Sequence, residues 1–173
     1  VVPAGKARDL GFDRSMVLGY GQDDKVCAYT SLRAQLDLGK ARYTTCAFLC
    51  DKEEVGSIGA TGAQSKWFEN VLAELINLTT DYSELKLKRA LSKSRMLSSD
   101  VSAGLDPSYK GVFEDNNAAY LGRGIVFNKY TGARGKSGAN DANAEFVAEL
   151  RKIFDDNKVR FQISELGKVD EGG

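Results

Sequence analysis

The sequence predicts an α/β fold, because its hydrophobic pattern alternates between helical and strand periods along nearly the whole chain. Two further observations support this reading. Acidic pairs fall at the boundaries between predicted elements, and glycine-rich turns separate the apolar runs.

The elements follow in order. Residues Asp24 to Leu38 read as a helix with Val26, Tyr29, Leu32 and Leu36 near one face, and Gly39 as its stop. Ala41 to Cys50 is apolar or β-favouring throughout, which predicts a strand covered on both faces. Gly56 to Gly62 is a glycine-rich turn, and Ser65 is positioned to cap a helix whose stripe is Trp67, Val71, Leu75 and Leu78. Trp67 on that stripe is expected in the core. Ser83 to Ser94 reads as a short basic helix, and Met96 to Ser99 as a short strand ending at Asp100. Residues 101 to 121 are irregular, with a turn at Asp106-Pro107. A strand over Gly124 to Tyr130, an amphipathic helix over Asp141 to Asp156 and a last strand over Val159 to Ser164 complete the pattern. With no internal repeat or low-complexity linker, one compact unit is expected over residues 1–173.

Composition narrows the function classes. Lys plus Arg equals Asp plus Glu at 24 each, so no global field favours nucleic acid or an anionic membrane. No apolar run reaches the roughly 18 residues of a spanning helix, and no signal peptide is visible; a cytoplasmic location is the expectation. The three cysteines, Cys27, Cys46 and Cys50, sit in apolar stretches and read as buried thiols. On a strand, Cys46 and Cys50 would lie about 13 Å apart, too far to share one metal. The chain opens Val1-Val2-Pro3 and closes Glu171-Gly172-Gly173; neither end reads as a natural boundary, and an excised or processed piece of a longer chain is expected.

The chemistry concentrates in carboxylates. Asp23-Asp24 precedes the first helix, Glu53-Glu54 follows the long predicted strand and Asp100 follows the short one. In open α/β sheets the functional crevice lies at the carboxyl ends of the strands, where Glu53, Glu54 and Asp100 would project if their strands run parallel. Hard carboxylate oxygens suit divalent metals, and one carboxylate can bridge two ions. A neighbouring unligated carboxylate can then move a proton from water to a leaving amine. The alternative is that these acids are solvated loop caps. The chain has no histidine, which such metal sites usually also need.

Other motifs carry less. Gly132-Ala133-Arg134-Gly135-Lys136-Ser137 resembles a phosphate-binding loop, but two residues stand where four are required before the Gly-Lys pair, so a flexible loop is expected instead. Lys86, Lys88, Arg89, Lys93 and Arg95 read as a solvated helix face.

Taken in order, Gly21-Gln22-Asp23-Asp24-Lys25-Val26-Cys27, Asp51-Lys52-Glu53-Glu54-Val55-Gly56-Ser57, Leu97-Ser98-Ser99-Asp100, Asn116-Asn117, Gly124 to Tyr130 and Glu165 to Gly173 resemble the catalytic domain of the aspartyl-aminopeptidase family of zinc metallopeptidases, bacterial type. The resemblance covers nearly the whole chain. It implies a mixed central sheet flanked by helices, and removal of N-terminal amino acids from peptides by metal-activated water. It implies that Asp23 bridges two zinc ions, that Glu54 and Asp100 each bind one of them, and that Glu53 is the general base. Lys129 falls near a lysine linked to substrate recognition. Manganese or cobalt would also suit oxygen ligands. The family assembles into homo-oligomers and acts on peptides with a free N-terminus.

Two departures accompany the resemblance. The family's two histidine ligands and its inserted dimerisation domain lie in segments outside this chain, which therefore reads as the middle of a catalytic domain. Each metal would keep only two carboxylates here, Asp23 with Asp100 and Asp23 with Glu54. Catalytic zinc takes three protein ligands, so the chain alone is expected to be inactive. The alternative is a histidine-less, non-catalytic relative acting as a scaffold or binding module.

Overall fold

Helices dominate where the sequence carries a 3.6-residue apolar period. In a computed structural model, which describes residues 1–133, 137–165 and Lys168, four α-helices form: α1 (Gln22–Asp37), α2 (Trp67–Thr79), α3 (Glu84–Lys93) and α4 (Ala144–Asp156). Six strands pair two by two. The strands β1 (Arg8–Leu10) and β2 (Met16–Leu18) are antiparallel, β3 (Ile125–Asn128) and β6 (Phe161–Ser164) are parallel, and β4 (Tyr130–Ala133) and β5 (Ser137–Asp141) are antiparallel. The chain is thus mixed α and β. Among the described residues the strands form three two-stranded sheets and do not join into one central sheet. Of the phosphate-loop-like run Gly132 to Ser137, Gly132 and Ala133 end β4 and Ser137 opens β5 where a loop is expected, and 134–136 lie outside the described residues, as does most of the stretch from Leu166 to Gly173.

Packing divides the chain into two units, Val1–Asp100 and Val101–Gly173, where the sequence predicts one. In the first, α2 and α3 pack together. Leu87 of α3 is buried there, and Ser83 caps that helix by accepting a hydrogen bond from the Lys86 amide at 3.2 Å. Phe48 stacks on Trp67 and Phe68, with ring centroids 5.4 and 4.8 Å away. Trp67 is nonetheless 49% exposed, because the ring of Phe48 covers one face only; the expected core position is not met. Ser65 accepts from the Trp67 amide at 3.3 Å, although the residue at the cap position is Lys66.

Two predicted strands do not form. Residues 41–50 have no regular structure, and the adjoining Asp51 makes only an isolated bridge to Gly62; residues 96–99 are likewise irregular. A strand exists only where a neighbour completes its ladder of backbone hydrogen bonds, and among the described residues none lies alongside. Cys46 and Cys50 are consequently exposed and Cys27 half-buried, in place of the three buried thiols expected. The apolar stripe of α1 is also open to solvent at Val26, Tyr29, Leu32 and Leu36.

In the second unit the β3–β6 pair supports α4. Phe127, Phe154 and Phe161, one from each element, form a ring cluster with centroids 5.1 to 5.8 Å apart. Asn143 caps α4, its side chain accepting from the Phe146 amide at 2.9 Å. Ser164, at the end of β6, is buried and donates to the Asn128 side chain at 2.8 Å.

Candidate active site

Asp23 and Asp24 stand in the first turn of α1 with non-helical backbone angles (φ −87°, ψ 115° and φ −114°, ψ 34°), joined by a cis peptide bond. Regular helix therefore begins after them. The pair is carried at the mouth of α1, not along its side.

Glu53 and Glu54 open a single 3-10 turn, Glu53–Val55. Left-handed residues bracket it, Lys52 at φ 69° and Gly56 at φ 88°. The turn is tied down by its own backbone: the Gly56 amide donates to the Glu53 carbonyl at 2.8 Å and the Ser57 amide to the Lys52 carbonyl at 2.7 Å. Gln64 reaches back to donate to the Gly56 carbonyl at 2.7 Å. Gly62 permits that return, since a Cβ there would lie 2.1 Å from the Ser57 carbonyl oxygen. The glycine-rich run is thus a clasp that presents the two glutamates. Asp51 is held outside this cluster, paired with Lys52 at 2.9 Å and accepting from Thr61 at 3.4 Å. The hydrogen bond from Lys52 keeps its carboxyl below the usual range.

Electrostatics show which acids share one neighbourhood. Partial burial pushes the Glu53 carboxyl above the ordinary glutamate range, and the negative charges of Asp100, Glu54, Asp23 and Asp24 push it further. Cys27 feels the same field. Burial raises its thiol, a hydrogen bond with Ser99 opposes the rise, and Asp24, Asp100 and Asp23 add to it. Asp100, Glu54, Asp23 and Asp24 thus all lie near enough to Glu53 for their charges to act on its carboxyl. Cys27 and Ser99 are the residues that sequence reasoning missed. Cys27 follows Asp23 and Asp24 closely in the chain and Ser99 adjoins Asp100, so nearness in sequence was the available signal.

Lys129 belongs to the second unit. It follows β3, its amide donating to the Ser164 carbonyl at 2.9 Å while its own carbonyl accepts from the Ala142 amide at 3.1 Å.

The donor set is all carboxylate oxygen, which matches a divalent ion in kind. It falls short in number. Among the described residues no three His, Cys, Asp or Glu groups are arranged to hold one ion, and the chain contributes no imidazole.

Comparison with known proteins decides the family. The model of the aminopeptidase I zinc metalloprotease family (M18) matches residues 1–173. The chain belongs to this family. A probable M18 family aminopeptidase 1 of Clostridium acetobutylicum is 65% identical over 173 residues, covering all of this chain and 37% of the relative. Its counterpart in Thermotoga maritima is 45% identical over 174 residues, covering 38% of that protein. The chain thus spans little more than a third of the relatives it matches. The crystal structure of aminopeptidase I from Clostridium acetobutylicum superposes with a TM-score of 0.86 at 63% identity, over 99% of this chain and 37% of the other. That of the M18 aminopeptidase from Thermotoga maritima gives 0.87 at 43% identity, over 99% and 38%.

Proposed function

We propose that this chain is the middle of the catalytic domain of a cocatalytic zinc aminopeptidase, which removes N-terminal amino acids from peptides. The observation that carries the reading is the partial burial of Glu53 near the like charges of Asp100, Glu54, Asp23 and Asp24, which raises its affinity for a proton. That is the property a general base needs. Glu53 takes a proton from the attacking water and passes it to the leaving amine, the new N-terminus of the shortened peptide, as the C–N bond breaks. Asp23, Glu54 and Asp100 would supply carboxylate oxygens to the metal, and Asp23 would be the ligand shared by two ions. A bound divalent ion, zinc or alternatively manganese or cobalt, supplies Lewis-acid polarisation of the scissile carbonyl. Lys129 contributes to holding the substrate. Family members' remaining length supplies further ligands and the inserted dimerisation domain, completes a central mixed sheet and builds a homo-oligomer, so the chain alone is inactive.

The test is Glu53→Gln in a full-length protein carrying this chain. Hydrolysis of an N-terminal residue should fall by at least about a hundredfold while metal content is unchanged. Turnover at the parent rate removes Glu53 from the base role.

A further inference from the structure

At the N-terminal ends of β3 and β6 lies a hollow of about 410 Å³, lined by Arg123, Asp155, Lys158, Val159, Arg160 and Phe161. Three of these six side chains are cationic and one is acidic, so the hollow is net positive. Each cation is set by a backbone feature. Arg123 stands two residues before β3, and its guanidinium lies over the Tyr120 ring, 4.1 Å from the centroid. Arg160 immediately precedes β6, and its carbonyl accepts from the Ile125 amide at 3.0 Å, which brings the two strand starts side by side. Lys158 occupies the left-handed position that closes α4 (φ 56°), where the Val159 amide donates to the Phe154 carbonyl at 2.9 Å. Among the described residues none of the three forms an ion pair, although Lys152, Lys110 and Lys88 in comparable settings all do.

We propose that this hollow binds a doubly charged oxyanion of the phosphate class. Guanidinium groups present paired N–H donors that match two oxygens of a tetrahedral anion, and the ammonium of Lys158 adds a third point of attraction. Three cations against the one carboxylate of Asp155 leave the hollow net positive, and that excess attracts a doubly charged ligand more strongly than a singly charged one. Val159 and Phe161 give the hollow an apolar side against which an ester substituent can rest. The site lies at the opposite end of the β3–β6 pair from Asn128, Ser164 and Lys129, and stands independently of the aminopeptidase reading.

The experiment titrates the protein with inorganic phosphate and, separately, phenyl phosphate, above the second ionisation of phosphate and at constant ionic strength. Backbone amide shifts of Arg123, Val159 and Arg160 report binding. Saturable shifts at these amides are expected with both probes, tighter for the ester, and absent with chloride. Arg160→Gln should weaken binding about fivefold, Arg123→Gln with Arg160→Gln should abolish saturation, and Lys93→Gln on α3 should change nothing. Saturation with inorganic phosphate alone keeps the oxyanion site and removes the ester contact. Shifts that follow chloride equally, that do not saturate, or that survive the double substitution overturn the proposal.

Discussion

Gln162 grips the backbone of Tyr120 at two points. Its Oε1 accepts from the Tyr120 amide at 2.9 Å and its Nε2 donates to the Tyr120 carbonyl at 3.0 Å, as a neighbouring strand would. A side-chain amide thus takes the place of a missing backbone partner beside β6.

Gln162→Leu leaves both Tyr120 groups without that partner in a partly buried setting, and should cost about 1–3 kcal/mol. Gln162→Glu keeps the acceptor but turns the donor into a carboxylate oxygen facing a carbonyl. Its stability should fall above the carboxylate pKa and recover on acidification, when the protonated acid can donate again. Urea unfolding of both variants across pH checks this; equal stability of Gln162→Glu at acid and neutral pH would count against the two-point grip.

Gly124 has φ 101°, and a Cβ there would lie 2.3 Å from the Arg160 carbonyl oxygen. Gly124→Ala therefore needs both an unfavourable backbone angle and a separation of β3 from β6. A loss of about 2 kcal/mol or more is expected from the two together. The unfolding midpoint measures it, and amide exchange at Ile125, which donates to Arg160, should quicken in parallel.

Glu53 offers a titration test. Because its carboxyl is raised in the folded state, its protonation favours folding: that contribution is fully present below the unfolded-state pKa and is lost as pH rises through the folded one. Among the charges acting on Glu53, Asp100 ranks first. Asp100→Asn should bring the Glu53 titration, followed by carboxyl carbon shifts, back toward the ordinary range, and more so than Glu54→Gln. An unmoved Glu53 titration would mean that Asp100 lies outside its neighbourhood.

The helices were legible because their signals are local. The α1 and α2 stripes and the amphipathic pattern of α4 repeat every three to four residues, and Ser83 caps α3 at the start the sequence predicts. The strands at 41–50 and 96–99 failed for the opposite reason. Composition states that a segment favours pairing but says nothing of a partner, and none runs beside them among the described residues. The β1–β2 hairpin was missed because three residues per strand, all exposed, leave no alternating pattern to read. Trp67 shows that a stripe identifies a face without supplying what covers it. The acids at 23, 53, 54 and 100 were visible as motifs at element boundaries. The clasp of Lys52, Gly56, Gly62 and Gln64 that presents two of them was visible only as glycine content, since its hydrogen bonds depend on how the loop folds back.

The parallel pairing of β3 with β6 also sets a clock for synthesis. Ile125 must wait for Phe161, which the ribosome adds 36 positions later. At about 5–20 residues per second that is roughly two to seven seconds. Until Phe154, and seven positions later Phe161, are added, the Phe127 ring lacks the rings it rests on. A nascent chain stalled between the two strands would therefore be the species most readily captured by a chaperone.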